Sequence, residues 1–329
     1  NVLSLMKTML MQTLKRFHNN NIYKIYTRVQ QYNMDHIFMI KSIKESIPTL
    51  DNSRHKGQAG RIGIVGGSLE YTGAPYFAGI SALKVGADLV HVFCTTPAAT
   101  VIKSYSPELI VHPILDENNA SQITPWLDRL HAIVIGPGLG REASTFKVVS
   151  ELIHTIKLKK IPLIIDADGL FLITENLELI KDFSSPIVLT PNKVEFERLN
   201  GKLHDLTGLN QLGYQTIIMK KGSEDEVVSC DPDVQWKANL GGSGRRCGGQ
   251  GDLLSGSIAT FLNWTLNSAN KLEIKNESKN MAAVSLACYA ASYLIRKCNE
   301  KAFKCKGRSM LASDMIEYIH ESFEELYGQ

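Results

Sequence analysis

A mostly parallel α/β sheet covered by helices on both faces is the fold class the sequence predicts, and two observations predict it. Short apolar runs rich in β-branched residues recur along the 329 residues, separated by stretches of helical spacing. Nearly every run then ends in glycine, aspartate, asparagine or lysine, so the polar motifs gather at one edge of the sheet, where ligands of open parallel sheets bind.

Taken in order, Ile47-Pro48 opens the folded part, and residues 47–329 are expected to form one domain. Ile62, Ile64 and Val65 make a strand stopped by Gly66-Gly67. Tyr71-Thr72-Gly73-Ala74-Pro75 starts a helix reaching Ala87, with Thr72 as its cap and Pro75 tolerated in the first turn. Leu89–Cys94 is a strand, and Leu130–Ile135 another, ending in Gly136-Pro137-Gly138-Leu139-Gly140. Ser144–Ile156 is helical. Pro162–Ile165 ends in Asp166-Ala167-Asp168-Gly169, with at most one of the two aspartates facing the cleft. Ile187–Leu189 ends in Thr190-Pro191-Asn192 ahead of a helix carrying Glu195 and Glu197. Gly201–Gly213 has little core character, and Thr216–Met219 then ends in Lys220-Lys221-Gly222. Val227–Ala238 adds two short antiparallel strands at an edge, and helices near 281–297 and 313–326 close the domain.

The chemistry concentrates in Gly241–Gly256. Six glycines between Gly241 and Gly251 precede Asp252 and an apolar helical pattern of Leu253, Leu254, Ile258, Phe261 and Leu262. A glycine loop feeding a helix N-terminus is an anion site, and Arg245 and Arg246 add donors suited to phosphate. A carboxylate there is repelled by a phosphate unless it has chemical work; the natural work is as a base toward a hydroxyl receiving a phosphoryl group. The alternative is a flexible loop with Asp252 in a capping role. Asn192 and Glu195 lie one helical turn apart and read either as oxygen ligands for Mg²⁺ or as the two halves of a capping box. Lys220 and Lys221 either reach phosphate or are solvated.

Composition excludes several classes. A net charge of +3 is too small to argue for nucleic acid. No apolar run reaches the roughly 20 residues of a membrane-spanning helix; the nearest, Ala282–Ile295, carries Ser285 and Ser292 and is closed by Arg296-Lys297. The six cysteines show no CxxC pair, as in a reduced, intracellular chain. There is no GxxxxGK[ST], and Pro137 spoils the Gly136–Gly140 run as a dinucleotide fingerprint. Residues 1–34 carry Lys7, Lys15, Arg16, Lys24 and Arg28 and no acid, among Leu3, Leu5, Leu10, Leu14 and Phe17. Within a leader of residues 1–46, that composition predicts a mitochondrial presequence, with cytoplasm as a second location.

Taken together in this order, His55-Lys56-Gly57, Gly66-Gly67, Tyr71–Pro75, Gly136–Gly140, Asp166–Leu170, Leu189–Leu199 and Cys247–Gly256 resemble the ATP-dependent NAD(P)H-hydrate dehydratases of the ribokinase-like superfamily. The likeness runs from about Ile47 to the C-terminus. It implies a three-layer α/β/α fold and, as substrate, NADH or NADPH carrying a water added across the nicotinamide ring. The C6 hydroxyl would be phosphorylated by ATP and lost as phosphate. By the same resemblance Asp252 is the base and a substrate contact, with Gly138, Asn192, Lys193, Val194, Glu195, Phe196, Glu197 and Arg198 on the hydrated dinucleotide. ATP falls to Lys221, Gly222, Ser223, Glu224 and Asp225 and to Gly242, Ser243, Gly244, Arg245, Arg246, Cys247, Gly248, Gly249, Gln250 and Gly251. Mg²⁺ would accompany the phosphates, with Asn192 and Glu195 as indirect ligands. An epimerase of the hydrated cofactor is the implied pathway partner, and homo-oligomers are compatible with the family. The rival reading is a ribokinase-like kinase of a small vitamin alcohol or sugar, which would stop at the phosphate ester.

Overall fold

Parallel strands delivering their carboxyl ends to one edge determine where chemistry can occur in this chain. The computed structural model describes residues 36–117, 120–203, 209–274 and 278–328. The presequence expected over residues 1–34 lies outside the described residues. The chain divides after Lys41. Residues 36–41 are helical; the unit from Ser42 begins with helical residues 42–46, ahead of Ile47, and holds all that follows.

The sheet has nine strands: β1 (Arg61–Val65), β2 (Leu89–Cys94), β3 (Ile110–Pro113), β4 (Ala132–Ile135), β5 (Leu163–Ile165), β6 (Ile187–Leu189), β7 (Thr216–Lys220), β8 (Asp225–Ser229) and β9 (Trp236–Ala238). Their spatial order is β3-β2-β1-β4-β5-β6-β7-β8-β9. The first seven are parallel, and β8 and β9 append antiparallel at the edge. Alternation along each strand feeds two cores. Ile133, Ile135, Leu163, Ile165, Ile187 and Leu189 face one layer of helices, with Val148, Leu152, Leu170 and Leu199 packed on them. The intervening Ile64, Val134, Ile164 and Val188 are equally buried toward the other side.

That other side is built on three helices, α1 (Gly73–Val85), α4 (Gln250–Asn267) and α5 (Lys279–Lys306), with α4 packed between α1 and α5 and against β4 and β5. The first layer includes α2 (Ala167–Glu175) and α3 (Lys193–Leu203). No helix among the described residues is long and apolar enough to cross a membrane.

Several expectations are corrected. Strand β3 was unforeseen, because Ile110-Val111-His112-Pro113 is too short and mixed to announce itself. Thr72 does not cap α1: its backbone is already right-handed helical, and its hydroxyl meets the Tyr105 hydroxyl at 2.9 Å. The helix ends at Val85, with Gly86 at φ 131°. Gly201–Gly213 does reach the core, through buried Leu203, Leu209 and Leu212, although residues 204–208 lie outside the described residues. Helix α5 continues to Lys306, since an amphipathic pattern replaces the all-apolar one beyond Arg296.

Gly256 fixes the depth of α4. A Cβ there would overlap the Ala78 carbonyl oxygen of α1, so the two helices touch backbone to backbone. Gly256→Ala is expected to cost about 3 kcal/mol, the upper end for overpacking a tight interior, read from the urea midpoint at unchanged m-value.

Candidate active site

Four chain segments meet over the carboxyl ends of β5, β6 and β7, around a cleft of about 540 Å³. Asp166 follows β5. Its N–H donates to the Ile135 carbonyl at 3.0 Å, and its Oδ1 accepts from the Ala167 N–H as the N-cap of α2. Lys221 follows β7, held by its N–H to the Pro191 carbonyl at 2.9 Å, and its Nζ donates to Asp166 Oδ1 at 2.7 Å. Asp166 is only 2% exposed and the Lys221 side chain 20%, so this pair belongs to the interior. Asp168 points elsewhere, accepting from the Gly140 N–H and from Arg141; as expected, one of the two aspartates lines the cleft.

The fourth segment is the glycine loop and the start of α4. Gly249 is the N-cap, in a left-handed conformation with φ 92°, and Asp252 lies in the first helical turn. The helix start comes down directly on the ion pair: a Cβ on Gly251 would sit 3.3 Å from Lys221 Nζ and 3.8 Å from Asp166 Oδ2. Burial, reinforced by the Asp166 charge and partly offset by Lys221, pushes the Asp252 carboxyl up to about 7. Burial acts to lower the Lys221 ammonium, but Asp166, Glu195 and Asp252 outweigh it and hold it above its ordinary value. Burial also raises Glu195, against the pull of Lys221. A carboxyl poised near neutrality beside helix-terminal amides can take a proton from a hydroxyl and work next to phosphate.

Asn192 and Glu195 line the cleft, and their local relation is a capping box. The Asn192 N–H donates to Glu195 Oε2 at 2.8 Å, and the Glu195 N–H donates to Asn192 Oδ1 at 3.0 Å. Those two oxygens are engaged, and Glu195 Oε1 takes no part in the box. Among the described residues no three His, Cys, Asp or Glu side chains gather to hold a bare cation.

The other expected contacts divide. Gly222, Ser223, Asp225, Gly242, Arg246, Cys247 and Gly248–Gly251 line the same cleft as Lys221. Glu224 turns outward to Lys237, and Arg245 binds the Met310 and Arg246 carbonyls. Ser243 donates its N–H to Asn299, and neither it nor Gly244 lines the cleft. On α3, Lys193, Val194 and Glu197 are exposed, Phe196 packs under the Lys220 ammonium at 4.4 Å, and Arg198 lies over Phe171. Gly138 sits at the end of β4 against Tyr71, its carbonyl accepting from the Gly67 N–H. Sequence reasoning left out Ser292, Arg296, Asn299 and Met315, all in the cleft wall. For Ser292, Arg296 and Asn299 the only local signal was their spacing on one face of α5, and Met315 comes from the later helical stretch Ala312–Ile316.

A family model described as NAD(P)H-hydrate dehydratase matches residues 62–321. Over 292 residues, 88% of this chain and 85% of the other, the sequence is 55% identical to the ATP-dependent (S)-NAD(P)H-hydrate dehydratase of Aedes aegypti. In structure it is similar to a ribokinase-like superfamily protein of Enterococcus faecalis, with TM-score 0.69 and 20% identity over 88% of this chain and 95% of that one. It is also similar to the ADP/ATP-dependent NAD(P)H-hydrate dehydratase of Bacillus subtilis co-crystallized with ATP/Mg²⁺, with TM-score 0.63 and 22% identity over 87% and 97% of the two chains.

The ionised form of Asp252 is the one that accepts a proton, so kcat/KM is expected to fall as pH drops through an apparent pKa near 7. Asp166→Asn removes a repelling charge and should move that limb to lower pH. Lys221→Met removes an attracting one and should move it higher. A limb at the usual carboxylate pH near 4 in the wild type would contradict the assignment.

Proposed function

The chain belongs to the NAD(P)H-hydrate dehydratase family, and from that premise we propose how its residues restore hydrated NADH and NADPH. The activity is the ATP-dependent dehydration of the S form. The observation that carries the residue assignment is the place of Asp252, a half-buried carboxyl lining the cleft in the first turn of α4, directly after the Gly248–Gly251 amides, with its proton affinity pushed up to about 7.

Asp252 takes the proton of the C6 hydroxyl as its oxygen attacks the terminal phosphoryl group of ATP. Backbone N–H groups at the start of α4, with Arg246 beside them, stabilise the charge on the transferring group. Hydroxide leaves poorly and phosphate leaves well, so the ester collapses by C–O cleavage. The C5 proton is lost, the ring double bond returns, and the same site serves as kinase and then as lyase. Lys221 and Gly222–Ser223 border the nucleotide on one side and Gly242 and the glycine loop on the other. Asn192 and Glu195 occupy the side facing the dinucleotide.

Magnesium fits this donor set in one way. Glu195 and Asp166 line the cleft and each has one carboxylate oxygen outside the capping box and the ion pair, hard donors too few for a cage but suited to an ion that keeps waters and phosphate oxygens. When bound, Mg²⁺ would neutralise phosphate charge. Because the reaction takes the S epimer, an epimerase acting on C6 is the partner that makes both hydration products repairable. The acid-free, basic stretch of residues 1–34 supports import into mitochondria.

Absorbance of reduced nicotinamide, followed after mixing the protein with hydrated NADH, Mg²⁺ and ATP, tests this reading. Recovery that needs ATP and falls by at least about 10³-fold in Asp252→Ala is the expected result. ATP consumption with a stable phosphate ester and no recovery would replace it with the kinase reading.

A further inference from the structure

Arg296 stands in the wall of the cleft on α5, where a guanidinium would first be taken for a phosphate ligand. Its bonds say otherwise. Nε donates to Asp225 Oδ2 at 2.8 Å, and Nη2 donates to Asp225 Oδ1 and to the Gly222 carbonyl, both at 2.7 Å. Nη1 donates to the Gly241 carbonyl at 2.9 Å and to the Ser223 carbonyl at 3.2 Å. A guanidinium has five N–H donors, and these bonds use all of them. Arg246, by contrast, gives Nη1 to the Ser243 carbonyl at 2.6 Å and keeps donors for a ligand.

The five bonds join two strips of chain that are distant in sequence. One is Gly222–Asp225, from the turn after β7 to the first residue of β8; the other begins the glycine loop at Gly241. Asp225 completes the first, accepting also from the Gly222 N–H at 3.0 Å and from Ser292 Oγ at 2.5 Å. Asn299, on the same face of α5 as Arg296, extends the second: its Oδ1 accepts from the Ser243 N–H at 2.6 Å and its Nδ2 donates to the Arg245 carbonyl at 3.5 Å. The Arg296 and Asp225 side chains are 13% and 6% exposed, so water competes little for these bonds. Three carbonyl oxygens of the two strips, those of the cleft-lining Gly222 and Ser223 among them, are drawn onto a cation instead of opposing a polyphosphate.

We propose that Arg296 is a positioning residue for ATP: through Gly222–Asp225 and Gly241 it sets the separation of the two strips that hold the nucleotide before the nucleotide arrives. This rests on the reading of those strips as the ATP side of the cleft. Ordering two loops in advance removes that cost from binding, and small displacements of positioning groups lower productive binding steeply. The dinucleotide side, on α3, has no bond to Arg296.

The test is steady-state kinetics with each substrate varied in turn, beside thermal denaturation, for the wild type, Arg296→Met, Arg296→Lys and Asn299→Ala. Arg296→Met should raise KM for ATP about tenfold while KM for hydrated NADH stays within about twofold. Arg296→Lys should fall between, because three donors cannot serve five acceptors. Of the two strips Asn299→Ala touches only the glycine loop, besides a contact with Met315 Sδ; it should raise the ATP KM by a smaller factor and serves if Arg296→Met does not fold. An unchanged ATP KM in the folded variants overturns the proposal, as does a parallel rise of both KM values tracking a lowered melting temperature. Absence of ATP-dependent recovery in the wild type defeats the functional reading itself, which separates the two failures.

Discussion

Lys221 lies beneath the cleft with Asp166 in direct contact and with Glu195 and Asp252 close enough to raise it, and the rest of the site is arranged about that ammonium. Three carboxyls in one poorly solvated place are costly unless a cation is shared among them or one stays protonated. Both happen here. Lys221 satisfies Asp166 outright, while Asp252, facing the Asp166 charge, is pushed up to about 7. The fold makes the gathering cheap. Asp166, Asn192 and Lys221 each follow one of three neighbouring parallel strands, β5, β6 and β7, so their backbones are registered by the sheet before any side chain meets.

The helix that carries Asp252 approaches from the other direction and must be brought close without a steric penalty. Gly256 allows α4 to sit on the backbone of α1, and Gly251 allows its first turn to rest on Lys221. Glycine content in this region thus has two separate causes. One is the close approach of the loop and first turn to the cleft and its ion pair, legible from a loop rich in glycine ahead of a helix. The other is contact between helices, which the pattern of a single helix does not reveal.

The same division explains what the sequence disclosed. The parallel strands were legible because strands buried on both faces are continuous β-branched runs, and Asp252 was legible because loop, carboxylate and helix are adjacent in the chain. Strand β3 was not, since His112 and Pro113 disguise it. Of the local alternatives at Asn192 and Glu195 the capping box is the one that forms, and both residues also line the cleft. Arg296 and Asn299 were hidden for a different reason. Their partners lie 55 to 74 residues away for Arg296 and 54 to 56 for the Asn299 bonds to the glycine loop, and in sequence Arg296 merely closes an apolar run.

The position of Asp252 also bears on the second half of the proposed reaction. After phosphoryl transfer the carboxyl holds the hydroxyl proton, and the oxygen it came from has become the bridging oxygen of the ester. That oxygen is the atom that must leave, and as the C–O bond breaks it gains negative charge. A carboxylic acid already beside it can return the proton, so phosphate departs singly protonated instead of as a trianion. The C5 proton is then the one net proton released with ADP and phosphate. An ordinary solvated carboxyl, with affinity near 4, would hold its proton too weakly between the two steps. The burial that raises Asp252 therefore suits both directions of transfer, and it is the same burial that requires Lys221 beneath it.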